Sequence, residues 1–154
     1  YVSHRCAGVR RSRPALALLV ADGSEISFHS DRSGSLDVWK VAVTANGTPT
    51  GEPVQLTTNE GNAHARAVVD GEWITYEADD GERKANDIWV MRSDGNDKRR
   101  VSDARTDRSH GWSPDGEWII YDSERDSNMD LYPVPVGGSI ERRITISTKG
   151  CKLN

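Results

Sequence analysis

The side chains in this chain that could do chemistry fall into four groups. Four histidines (His4, His29, His64 and His110) are spread along the sequence, without the spacing of a metal-ligand set. Gly111-Trp-Ser113-Pro-Asp115 comes nearest to a serine-nucleophile string, but the Gly-x-Ser-x-Gly elbow is absent. Aspartates crowd short polar stretches: Asp31 and Asp37, Asp79 and Asp80, then Asp122, Asp126 and Asp130. Carboxylate-rich turns suit calcium, yet none follows the twelve-residue EF-hand pattern. The plainer reading is that these carboxylates cap backbone N–H groups and that Arg32 and Arg125 pair with neighbouring acids. No cofactor is expected, and calcium is the alternative. Cys6 and Cys151 lie at opposite ends with no CxxC or Cys/His zinc spacing. Two free thiols is the simpler expectation. A bridge between them would close a loop of about 145 residues and stabilise by ~4–5 kcal/mol in the chain-entropy model.

Basic runs recur at Lys98-Arg99-Arg100 and Arg142-Arg143, and they read as a solvated sheet edge or as contacts for an anionic partner. The formal net charge of -4 argues against nucleic acid, which needs a basic face. No run of about 18 apolar residues exists to span a membrane. Asn46-Gly47-Thr48 is a glycosylation sequon that matters only in a secreted eukaryotic chain.

What must position these groups is a repeat. Asp70-Gly-Glu-Trp-Ile-Thr-Tyr76 returns as Asp115-Gly-Glu-Trp-Ile-Ile-Tyr121, and an earlier copy is Asp22-Gly-Ser-Glu-Ile-Ser-Phe28. Each copy is followed by a polar turn and a second anchor: Asp37-Val-Trp39, Asp87-Ile-Trp89 or Asp130-Leu-Tyr132. Each unit closes on a third: Gln55-Leu-Thr57, Arg100-Val-Ser102 or Arg143-Ile-Thr145. A period of roughly 45 residues with four strands per unit predicts all-β propeller blades. The expected strand a is about 14–20, 64–69 and 108–113, and strand b about 24–30, 73–78 and 117–123. Asp-Gly makes the turn between them, since glycine accepts positive φ. Ile26/Phe28, Ile74/Tyr76 and Ile119/Tyr121 alternate onto one face, whereas Trp73 and Trp118 point to the other. Glu25 replaces that tryptophan in the first unit and predicts a wetter face. Pro133 and Pro135 predict poor pairing of the last strand in the third unit.

Arg10-Arg-Ser-Arg13 followed by Pro14-Ala-Leu-Ala-Leu-Leu-Val20 has the look of a short signal peptide. The repeat register favours strand a of the first blade instead. The expected organisation is a single domain over 1–154, with blades at about 14–57, 64–102 and 108–146.

Trp112-Ser-Pro-Asp-Gly-Glu-Trp-Ile119, then Asp122-Ser-Glu-Arg125 and Asp130-Leu-Tyr132, resembles the Ser-Pro-Asp-Gly repeat of TolB-like β-propellers. The second unit carries Val68-Val69 in place of Ser-Pro, and the first Val20-Ala21. The resemblance implies a propeller of commonly about six blades. It also implies a functionally broad scaffold, found in periplasmic protein-binding factors, in bacterial surface proteins and beside peptidase or lyase domains. Periplasmic or secreted localisation follows from it, and a Cys6–Cys151 bridge would agree.

Three blades cannot close a ring, and they leave two outer faces to cover. The expected function is a non-catalytic module that binds protein or glycan, or that assembles with copies of itself into a closed ring or polymer. The alternative is a propeller fragment of a larger enzyme, a peptidase or polysaccharide lyase. His64, His110 and Trp112, on or beside the innermost strands, are the expected ligand contacts.

Overall fold

A computed structural model describes residues 17–19, 23–58, 62–69, 71–79, 86–102, 107–125, 129–138 and 144. Cys6, Cys151, the Arg10–Arg13 run and Arg142-Arg143 lie outside the described residues. Every described element is a strand. The first sheet comprises β1 (Ala17–Leu19), β2 (Glu25–Ser30), β3 (Asp37–Ala42) and β4 (Val54–Gln55), in that order. The second comprises β5 (Ala63–Val69), β6 (Trp73–Asp79), β7 (Asn86–Arg92) and β8 (Arg99–Arg100). The third comprises β9 (Arg108–Trp112), β10 (Trp118–Ser123) and β11 (Asp130–Pro135). All pairings are antiparallel between sequence neighbours. Each sheet is therefore a meander, and three meanders in series are three propeller blades.

The hairpins follow from the glycines. Gly23, Gly71 and Gly116 have φ of 72°, 78° and 72°, a region that costs an L side chain about 1–2 kcal/mol. The turn preceding β10 is further held by side chains. Ser113 Oγ donates to the Asp115 carboxylate and accepts from the Trp118 N–H at 2.9 Å. Asp115 also accepts from the Glu117 N–H at 3.1 Å.

Blades stack face to face. At the seam between blades 1 and 2, Val38 and Leu56 pack on Ala63, Ala65, Ile74, Tyr76, Ala78 and Met91. At the seam between blades 2 and 3, Ile88, Val90 and Val101 pack on Ile119, Tyr121, Tyr132 and Val134. The alternation predicted for strand b is thus used on both sides of the middle sheet. Burying one such side chain contributes about 1.5–3 kcal/mol. Glu25, in the tryptophan position, bonds Lys40 at 3.1 Å, whereas Trp73 packs into the second seam.

The closing segments dock alike. The N–H of Leu56 donates to Val38 O, that of Val101 to Ile88 O and that of Ile144 to Leu131 O, each at 2.8 Å. The other residues that would pair with the proline-bearing β11 lie outside the described residues, as does the strand-pairing expectation attached to them.

Gly116→Ala should lower stability by about 1–2 kcal/mol, because alanine resists φ near +72°. Gly51→Ala should leave the melting temperature nearly unchanged, since nothing lies within 4 Å of the added methyl. Thermal melts of the two variants check both expectations.

Candidate functional site

Loops between strands carry function on a rigid scaffold of this kind, so the turn ends decide the site. The turn after strand b places a hollow of about 210 Å³ between blades 1 and 2. Asp31, Gly34, Ser35 and Leu36 line it from blade 1, and Asn62 lines it from blade 2. The two walls are tied by the Ala63 N–H donating to Leu36 O at 2.7 Å. Asn62 is steadied by Asp79, which accepts from its backbone and side-chain N–H groups at 3.4 and 3.3 Å. At the same end, the His29 and His64 rings meet edge to face with centroids 5.3 Å apart. The hollow offers a carboxylate, a hydroxyl and an amide. That set hydrogen-bonds hydroxyls or peptide groups, with the Ser35 hydroxyl itself donating to Asp37 at 2.7 Å.

His64 is the second residue of β5 and pairs with Glu77, close to this end. Trp112 ends β9, pairs with Ile119 and packs into the seam between blades 2 and 3. The structure therefore places these two at opposite ends of their strands and does not bring them together. His110 falls within β9, and its side chain lies outside the described part of the structure.

The acidic turns resolve into separate jobs. Asp37 is fully buried and accepts from Ser33 Oγ and Ser35 Oγ at 2.7 Å, Gln55 Nε2 at 3.0 Å and Thr57 Oγ1 at 3.1 Å. Its partners are side chains, not the backbone N–H groups expected. Asp87, 2% exposed, accepts from Arg100 Nη1 at 3.2 Å. Among the described residues, no three side chains of His, Cys, Asp or Glu gather closely enough to hold a metal ion.

Two arginine roles escaped sequence reasoning. Arg32 lies over the rings of Phe28 and Trp39, at 5.0 and 4.9 Å. Arg125 lies over Tyr132 at 4.2 Å and Tyr121 at 5.6 Å, and it donates to Tyr121 Oη at 2.7 Å. Both also donate through Nε to the serine two residues earlier, Ser30 or Ser123, at 3.2 Å. Of the expected acids, Asp107 lies 3.7 Å from Arg125. The repeated Ser-x-Arg after an aromatic strand b was the available signal. Arg99, from the basic run, is no free edge residue. It covers Trp73 at 4.6 Å and donates across the seam to Val136 O at 2.6 and 3.1 Å.

Residues 15–152 match the family of the TolB beta propeller domain. A solved TolB structure from Agrobacterium tumefaciens aligns at TM-score 0.71 and 26% identity, over 84% of this chain and 45% of that one. TolB from Acinetobacter baumannii aligns at TM-score 0.67 and 18% identity, over 86% and 32%. An oligogalacturonate lyase in complex with manganese aligns at TM-score 0.66 and 15% identity, over 87% and 41%. The last two likenesses show the fold alone. The chain spans less than half the length of each of these proteins.

Ser113 is committed to its turn, with Asp115 held below its ordinary 3.8 by the Ser113 hydroxyl and then by the Glu117 N–H. A depressed carboxylate stabilises the fold fully above its ordinary value, and that stabilisation is lost as pH falls from there through the lower folded-state value. Ser113→Ala should therefore lower the melting temperature at pH 7, and the gap to wild type should narrow below about pH 4. The remaining gap belongs to the Trp118 N–H. Melts from pH 7 to pH 3 check this.

Proposed function

The chain belongs to the TolB β-propeller domain family, and from that premise we propose that it is a non-catalytic module that binds a protein or a glycan. The observation that carries this reading is the hollow between blades 1 and 2, walled by Asp31, Ser35 and Leu36 on one side and Asn62 on the other. Its donors and acceptors suit hydroxyl and amide groups. His64 stands at the same end of the seam and is proposed as a contact. Ser113, the nucleophile nearest to a recognised string, is held by Asp115 and Trp118 in a turn.

The family supports an extracytoplasmic location, periplasmic or secreted. Among the described residues no helix is long and apolar enough to cross a membrane. Assembly is the companion proposal, for three blades leave an apolar face to cover. The second reading, a propeller fragment of an enzyme, is favoured by the likeness in fold to a chain named as an oligogalacturonate lyase.

A glycan array and a peptide library, each followed by calorimetry on hits, test the proposal. The double variant Asp31→Ala/Asn62→Ala should weaken a hit by about fivefold or more, through loss of two hydrogen bonds worth roughly 0.5–1.5 kcal/mol each. Its melting temperature should stay near that of wild type. Binding unaffected by the double variant would overturn the site. Turnover of polygalacturonate or of peptides would overturn the non-catalytic assignment.

A further inference from the structure

The polar groups lining the hollow between blades 1 and 2 have already spent most of their protons on their neighbours. The single hydroxyl proton of Ser35 goes to the buried Asp37 at 2.7 Å, which leaves Ser35 Oγ only lone pairs to offer. Asn62 Nδ2 donates to Asp79 at 3.3 Å, as does the Asn62 backbone N–H at 3.4 Å, and Oδ1 remains as an acceptor. The Gly34 N–H donates to Asp31 O at 3.0 Å, closing its own turn. The Asp31 carboxylate bonds no other described residue. Arg32 beside it is held over Phe28 and Trp39 and donates to Ser30. None of the residues lining the hollow is basic. The hollow is thus a set of acceptors with the negative charge of Asp31 on one wall, and Asp79 stands behind Asn62 on the other.

We propose that this hollow, on its reading as the binding site, takes the ammonium group of a lysine side chain carried by a partner protein. An ammonium has three N–H donors, no acceptor and a positive charge. It suits acceptors on two walls, Asp31 and Ser35 of blade 1 and Asn62 of blade 2. A neutral hydroxyl brings one proton, and it brings lone pairs that this hollow has few donors to meet. A guanidinium sets its donors in one plane, which matches a flat pair of acceptors better than two opposed walls. Leu36 gives apolar surface to the methylene stem, as long cationic side chains require while their charge stays near water. Asp31, Ser35 and Asn62 are exposed, so the ammonium enters without the full desolvation cost of a buried ion. An amino sugar has the same charge but sets hydroxyls against Leu36.

The test follows the NMR signals of the Gly34 backbone amide and the Asn62 side-chain amide while the full chain is titrated with Nα-acetyl-lysine amide. Both signals should shift saturably, with a Kd on the order of 1–10 mM for so small a probe. The Nε-acetylated form of the probe keeps the stem and loses the charge, and it should bind at least about fivefold more weakly. Asp31→Asn keeps the shape of the side chain and should weaken the lysine probe by about fivefold or more. Its melting temperature should stay within about 2 °C of wild type. An Nε-acetylated probe that binds as tightly as the charged one overturns the proposal and leaves the hollow a site for neutral groups. Undiminished binding of the lysine probe to Asp31→Asn overturns it too. Glucosamine that binds more tightly than the lysine probe, with the same loss on Asp31→Asn, overturns the lysine and assigns the ammonium to a sugar. A lysine probe that moves neither signal overturns the proposal. In that case a glycan or peptide hit that moves both signals upholds the hollow as the binding site, and a hit that moves neither overturns the hollow as well.

Discussion

A sheet that is apolar on both faces cannot stand alone in water, and everything else in this structure answers to that constraint. The middle blade shows it most plainly. Ile74, Tyr76 and Met91 face one neighbour, Ile88 and Val90 face the other, and all five are fully buried. Such a sheet has no solvent side, so its stability resides in the seams more than in its own hydrogen bonds. Each seam packs strand c and the closing segment of one blade against strands b and c of the next, with Ala63 and Ala65 of strand a added at the first seam. Repeating that contact in series makes a stack, and its two ends are the places where the constraint is not met from within.

Polar groups have to enter these seams with partners already in place. Each strand c carries an aspartate as its first or second residue, Asp37, Asp87 or Asp130, at most 2% exposed. For Asp37 the charge is met by Thr57 and Gln55 of the closing segment and by two serines of its own turn. In return Thr57 Oγ1 accepts the N–H of Val38, as Ser102 Oγ accepts that of Ile88. One buried carboxylate and one hydroxyl thus fasten the outermost strand to the sheet, where strands of two residues would otherwise fray. The guanidinium groups of Arg32 and Arg125 play the complementary part. They cap the aromatic pairs of blades 1 and 3 with a cation that keeps its polar edge toward serine.

The fold was legible because its unit is short and its signals are local. Asp-Gly turns, alternating strand b and the Asp-x-aromatic start of strand c each depend on a few neighbouring residues. The blade order therefore followed from spacing alone. What spacing could not convey was which charged side chain reaches across a seam. Arg99 belongs to a basic run that reads as a wet edge, yet it lies on Trp73 and bonds Val136 of the next blade. Arg32 has an acid beside it in sequence and two rings beside it in space. Nor does periodicity distinguish a closed outer face from an open one, since Phe28 and Leu131 are both correctly alternating apolar residues. The candidate site was only partly legible. His64 was singled out, but Asp31, Ser35 and Asn62 are ordinary turn residues until two blades bring them together.

That last point bears on how such a site would behave. The walls of the hollow belong to different sheets, joined by one backbone bond between Ala63 and Leu36 and by the apolar packing beneath. A ligand that bonds both walls can bind only when the seam between blades 1 and 2 is closed. By mass action it then stabilises the closed seam in proportion to its occupancy, by ~2.7 kcal/mol at a hundredfold excess over Kd. That is comparable to the contribution of one buried aliphatic side chain at the seam. Binding at the proposed site would therefore be coupled to blade packing through the same contact. Substitutions at Val38 or Ile74, which lie in the seam and not in the lining of the hollow, would weaken such binding to the extent that they let the seam open.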